Sequence, residues 1–172
     1  MFTLNKMSLL AILFGGMMAT GCATATAATP PAPPALATQP AQSGSIPFEV
    51  VAQGAPFVSN SETLSMRAIR GDDPNKSVPN DLPEEAKIAL RNAFATPDPS
   101  LYIVINGGGQ PSGGYSVRIN SMTMNGSRLV VNYTVQGPKP GEGAATVLTY
   151  PFVIARVKNT SVPASAVVFE KQ

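Results

Sequence analysis

The sequence predicts an α+β fold, mainly antiparallel β-sheet or sandwich with one helix at about residues 83–95. Two observations carry this prediction. Most apolar runs alternate with polar residues at a period of two, as half-buried strands do, and helical spacing occurs in a single stretch. Glycine and proline, 15 and 17 of the 172 residues, fall mainly between those runs, where they supply turn chemistry.

Residues 46–51 read as a first strand and 63–69 as a second, in which Leu64, Met66 and Ala68 alternate with Ser65 and Arg67. Gly54-Ala55-Pro56 and Ser59-Asn60 provide the turns between them. Residues 71–82 are polar and interrupted by Pro74 and Pro79, a loop. The period then changes. Asp81 is placed to act as N-cap, Pro83 is an early helical proline, and Glu84 and Glu85 lie in the first turn, where the helix dipole favours negative charge. Ala86, Leu90, Ala93 and Phe94 follow at helical spacing until Pro97 and Pro99 end the run. Glu84, Lys87 and Arg91 are expected on the solvent face.

Residues 101–105 are almost wholly apolar, which suits a central strand covered on both faces. Tyr115, Val117 and Ile119 alternate with Ser116, Arg118 and Asn120, so Arg118 points outward. Asn125-Gly126 predicts a hairpin because both residues tolerate positive φ, and Leu129, Val131, Tyr133 and Val135 continue the alternation on the returning strand. A loop at 136–143 holds two prolines and three glycines. In the last long run, 145–157, Pro151 lacks a ladder donor and must kink, bulge or split the strand. Residues 166–169 form a short edge strand.

Ahead of this folded part, Lys6 supplies a positive n-region, residues 9–18 a short apolar run, and Ala19-Thr20-Gly21-Cys22 its close. Residues 1–21 are therefore expected to be a lipoprotein-type signal peptide, since the run falls well short of the ~20 residues that span a bilayer. The motif resembles a bacterial lipobox, in which small residues precede a cysteine that becomes the lipid-modified N-terminus. Cys22 is the only cysteine. Ordinary cleavage after an alanine within 23–28 is the competing reading. Acyl chains at Cys22, at about 0.8 kcal/mol per buried methylene, would anchor the protein without a spanning segment. Ala23, with no aspartate after the cysteine, resembles the pattern of lipoproteins sorted to the outer membrane of a bacterial cell envelope. Residues 22–44, rich in Ala, Thr and Pro and without a charge, form a disordered tether, leaving 45–172 as a single folded domain.

Composition removes several classes of function. Twelve basic and ten acidic residues leave a net charge of +2 with no basic stripe, so nucleic acid is not an expected partner. With no histidine and one cysteine there is no zinc cluster, and a serine nucleophile lacks its usual base. The lysines lie in polar or terminal surroundings, and Asp72-Asp73 and Glu84-Glu85 are adjacent pairs that read as a turn and a helix start. No metal, no cofactor and no enzymatic activity are expected.

The most informative segment is LYIVINGGGQPSGGY at 101–115, in which a strand runs into six Gly or Pro residues and returns as a strand. It is not a dinucleotide fingerprint, since no helix follows, and it lacks the Gly-Lys ending of a phosphate loop. Two readings stand. The glycines permit positive φ and close strand approach, or their exposed amides accept an extended peptide. In the second case Gly107, Gly108, Gly109, Ser112, Gly113, Gly114, Tyr115 and Tyr150 form the contact, tyrosine burying a ring while keeping a polar tip. Tyr115 and Tyr150 also read as core, by alternation with Val117 and Phe152.

Gly107-Gly108-Gly109-Gln110-Pro111-Ser112-Gly113-Gly114-Tyr115-Ser116-Val117-Arg118-Ile119 and the later Val147-Leu148-Thr149-Tyr150-Pro151-Phe152 together resemble the C-terminal domain of the PrcB family. Its pattern is a strand, a Gly-x-x-x-(Ser/Thr)-Gly-Gly-Tyr segment, a hairpin, a Pro-rich loop and a Thr-x-Pro-like segment in the last strand. The resemblance covers residues 101–157, and the N-terminal half departs from the pattern. It implies a lipoprotein that associates with a secreted subtilisin-like protease and supports its maturation or stability. The expected function is accordingly that of a non-catalytic, lipid-anchored envelope protein that binds another protein, a secreted protease by resemblance, through its glycine-rich strand loop. The alternative is a structural envelope lipoprotein that binds a carbohydrate or cell-wall polymer.

Overall fold

The computed structural model describes residues 45–141 and 143–172. The expected signal peptide at 1–21, the lipidation site Cys22 and the tether at 22–44 lie outside the described residues. Among the described residues seven strands and one helix follow in order: β1 (Glu49–Gly54), β2 (Ser65–Arg70), α1 (Glu84–Phe94), β3 (Leu101–Asn106), β4 (Ser116–Asn125), β5 (Arg128–Gln136), β6 (Phe152–Val157) and β7 (Val167–Lys171), with a 3-10 turn at Ala164–Ala166 before β7.

The strands form a four-stranded antiparallel sheet in the order β1-β6-β3-β2 and a three-stranded sheet in the order β4-β5-β7. β3 decides the layering. All six of its residues are buried, and their alternation sends Leu101, Ile103 and Ile105 into one core and Tyr102 and Val104 into another. The first core lies between the sheets and includes Val117, Ile119, Met122, Leu129, Val131 and Tyr133. The second packs Leu82, Ala86 and Leu90 of the helical layer on Tyr102, Val104, Phe152 and Ile154. The α+β sandwich with one α-helix is thus the observed architecture, and the unbroken apolar run of β3 reflects burial on both faces.

Local chemistry accounts for most boundaries. β6 begins one residue after Pro151, which splits the predicted 145–157 run. In the hairpin, Asn125 pairs with Arg128, leaving Gly126-Ser127 as the two-residue loop. Gly126 has φ +61 and Asn125 is not in the left-handed region, so the glycine alone satisfies the turn, as in a type II′ loop. β7 pairs with β5 in parallel, because the chain crosses from β6 in the other sheet before entering it.

Two expectations are corrected around the helix. Asp81 is not its cap. Pro83 occupies that position without a side-chain hydrogen bond, and Asp81 instead accepts from Arg67 Nη2 at 2.8 Å. Lys87 is not on the solvent face either, since its stem is buried and its ammonium reaches Glu84 at 3.6 Å, an arrangement long side chains allow. Glu84 and Arg91 are exposed as expected, joined at 2.8 Å.

Candidate functional site

β3 ends on Asn106, a fully buried polar residue. Its Nδ2 donates to the Asp81 carbonyl at 2.9 Å and its Oδ1 accepts from the Gly108 amide at 3.2 Å, so both ends of the side chain are satisfied. The glycine segment that follows closes on the second motif. The Gly107 amide donates to the Pro151 carbonyl at 2.7 Å, and Gln110 and Thr149 exchange backbone bonds at 2.8 and 2.9 Å. Thr149 Oγ1 donates to the Ser112 carbonyl at 2.9 Å, and Gln110 Nε2 donates to the Gly107 carbonyl at 2.8 Å. The Gly-rich and Thr-x-Pro motifs, some forty residues apart in sequence, are therefore two sides of one hydrogen-bonded unit.

Further bonds tie this unit to the chain after β1. Gly109 donates to the Glu62 carbonyl at 2.9 Å, Tyr150 donates to Pro56 at 2.8 Å, and Gly113 donates to Ala145 at 2.8 Å. The expectation that these amides stand exposed for a peptide is therefore corrected: those of Gly107, Gly108, Gly109, Gln110 and Gly113 are all used internally. A buried backbone group left unpaired is costly, so a segment this rich in main chain satisfies itself. Close packing explains the glycines. A methyl group on Gly107 would lie 2.8 Å from Val117 Cγ2, and one on Gly108, whose φ is +71, 2.5 Å from the Glu62 carbonyl oxygen.

The eight sequence-predicted residues divide accordingly. Gly107, Gly108 and Tyr150 are buried; Gly109, Ser112, Gly113 and Tyr115 are half-buried; Gly114 is exposed. Exposed apolar side chains lie in the segments bonded to this unit; Leu64, Val147 and Leu148, expected in strands from the sequence, fall outside β2 and β6. Phe57 and Val58 are 66% and 76% exposed, and Leu64, Val147 and Leu148 are also open to solvent. Phe57 follows the Pro56 whose carbonyl holds Tyr150, Leu64 backs onto Gly108, and Val147 and Leu148 precede Thr149. The same bonds that close the glycine unit thus bring together the backbone segments that carry these side chains. The signal available in sequence was the apolar pair Phe57-Val58 set among turn residues, where no strand or helix periodicity explains it.

A separate charged cluster joins β1 to β6. Glu49 Oε2 lies 2.9 Å from Arg156 Nη2 and 3.0 Å from Lys158 Nζ, while Arg156 Nη1 approaches Asp98 at 3.7 Å. Hydrogen bonds from Arg156 and then Lys158 hold the Glu49 carboxyl below its ordinary range. Burial raises the Tyr102 hydroxyl beneath it. Among the described residues no three of His, Cys, Asp and Glu gather in metal-binding geometry, and no helix is long and apolar enough to cross a membrane.

Comparison with known proteins bears on this unit. No curated protein matches the chain and no solved structure matches it. A family model described as PrcB C-terminal matches residues 101–158, which run from the first residue of β3 to the residue after β6 and include both motifs. The match covers about a third of the chain, and that part is similar to the PrcB C-terminal family.

Proposed function

We propose that this protein is a non-catalytic, lipid-anchored subunit of the bacterial envelope that binds a protein partner, a secreted protease, through the apolar rim of Phe57, Val58, Leu64, Val147 and Leu148. The observation that carries the reading is the exposure of these side chains on a hydrogen-bonded base. Large apolar groups clustered in water mark a contact surface, and a rigid base limits the entropy lost on binding. The family name supports a protease complex as the setting. In this reading the glycine segment builds the platform and the side chains around it make the contact. Cys22 carries the acyl chains, and residues 22–44 hold the domain away from an outer-membrane surface.

The test is crosslinking from native membranes with the full chain and with Leu148→Glu and Phe57→Ser. One stoichiometric protein partner is expected with the parent and absent with the variants, whose unfolding midpoints should match the parent. Unchanged recovery would refute the rim, and recovery of polysaccharide alone would refute a protein partner. Mass measurement of the mature N-terminus tests the anchor, which an unmodified Cys22 thiol would exclude.

A further inference from the structure

β2 is an edge strand, paired with β3 on one side only. Two loop hydrogen bonds fix which of its backbone groups are free. The Gly71 amide donates to the Ser100 carbonyl at 2.8 Å, one step beyond the Arg70↔Leu101 pair, and the Gly107 amide donates to Pro151 at 2.7 Å, one step beyond Asn106↔Phe152. Bonding alternates along an antiparallel strand. Both bonds therefore give the same phase: the even residues of β3 bond to β2 and the odd residues bond to β6. It follows that Ser65, Arg67 and Ile69 turn their N–H and C=O groups towards β3. Met66, Ala68 and Arg70 turn theirs to the outer edge. Among the described residues the backbone bond made on that edge is a long one, from the Asp73 amide to the Arg70 carbonyl at 3.4 Å.

This edge borders a groove of about 450 Å³, walled by residues 67–70 of β2, by the loop at 73–79 and by Ala164. Arg67, Arg70, Lys76 and Asp73 are among the residues that line it. Arg67 is paired with Asp81 at 2.8 Å, and Arg70 with Asp72 at 2.7 Å and with the Thr160 and Val162 carbonyls, so among the described residues Lys76 is the lining cation with no carboxylate within 4 Å. Unpaired strand edges template pairing with another chain, and in such complexes main-chain bonds supply affinity while side-chain chemistry selects the sequence.

We propose that the outer edge of β2 takes an extended, acidic segment of a protein partner as an added strand. The six residues of β2 offer an edge of roughly 20 Å at ~3.4 Å per residue. The Lys76 ammonium favours one glutamate or aspartate at the facing position of the incoming strand. This site is distinct from the apolar rim and does not depend on it.

The experiment uses the full chain in mild detergent and a blocked six-residue peptide of alternating valine and glutamate, with deuterium exchange followed by mass spectrometry. Slowed exchange is expected at Met66, Ala68 and Arg70, with binding roughly threefold tighter than for the valine–lysine counterpart and weakened by salt. Two further probes carry N-methyl groups on alternate residues in opposite phase. The one whose methyl groups face β2 should lose binding, and the other should keep it. Ala68→Pro, which removes an outward donor where an edge strand tolerates proline, should abolish the protection. Equal binding of the two N-methylated probes, absence of protection at millimolar peptide, or protection at 57–58 and 147–148 in place of β2 would each overturn the proposal. The last result would leave the rim reading standing. If Ala68→Pro does not fold, the N-methyl comparison decides on the unaltered protein.

Discussion

Replacing Gly108 with alanine tests whether the glycine segment is built for its own packing. The residue sits at φ +71, where an L-residue costs roughly 1–2 kcal/mol. The added methyl group would lie 2.5 Å from the Glu62 carbonyl oxygen and 2.9 Å from the Leu64 amide nitrogen, both backbone atoms with no rotamer to yield. Relief requires moving the 62–64 segment, which strains the bond from the Gly109 amide to Glu62, worth about 0.5–1.5 kcal/mol. The sum is a loss of about 1.5–3.5 kcal/mol. With a urea m-value of about 2 kcal/mol/M, the midpoint should fall by roughly 1–2 M. Gly113→Ala is the control. Its methyl group meets nothing closer than 3.7 Å, its φ is outside the left-handed region, and its amide bond to Ala145 survives the change. It should leave stability unchanged or raise it by up to about 1 kcal/mol through the unfolded chain. Urea denaturation of the full-length variants, followed by circular dichroism, measures both. Equal midpoints for Gly108→Ala and the parent, or equal damage at the two positions, would refute the packing argument and return the segment to a surface role.

Two more outcomes follow from charged groups. Glu49, held below the ordinary glutamate value of 4.5 by Arg156 and Lys158, contributes stability above its unfolded pKa and loses it as pH falls through its folded pKa. Glu49→Gln should therefore lower the thermal midpoint at pH 7, by about 1 kcal/mol at most because the side chain is partly exposed and screened. The gap from the parent should close progressively below pH 4.5, and a gap independent of pH would remove the ion pair as its cause. Lys87→Met should be neutral or slightly stabilising, since methionine covers the same apolar surface as the buried stem and the ion pair given up, 3.6 Å long, is to an exposed carboxylate. Lys87→Glu should cost about 3 kcal/mol or more by setting a buried carboxylate beside Glu84, and comparable midpoints for the two variants would show that the site is open to water.

The elements that depend on neighbouring residues were legible in the sequence. β3, the alternation of β4 and β5, the break at Pro151 and the extent of α1 follow from periodicity and from what proline cannot do, and these properties travel with a short window of chain. The family relationship was legible for a related reason, since its glycines and its Thr-x-Pro segment are demanded by one close-packed arrangement. Asp81 marks where local reading stopped: a capping residue by position, it was claimed by Arg67 from a strand fourteen residues earlier. Lys87 faced inward because its stem had apolar surface to cover, which no window of helix sequence discloses.

Only the tertiary structure determined where the amides of the glycine segment point. Gly108 finds its acceptor nearby in the Asn106 side chain, but those of Gly107, Gly109 and Gly113 are Pro151, Glu62 and Ala145, far away in the chain, and a glycine's own conformational freedom says nothing about which distant carbonyl will meet it. The same long-range bonds draw together the segments that carry Phe57, Leu64 and Leu148, and the ladder phase that leaves Ala68 facing outward exists only once β2 has found β3. Sequence by itself settled which backbone could pass through the tight places; the fold settled what that backbone touched, because hydrogen-bond partners are chosen in space and not along the chain.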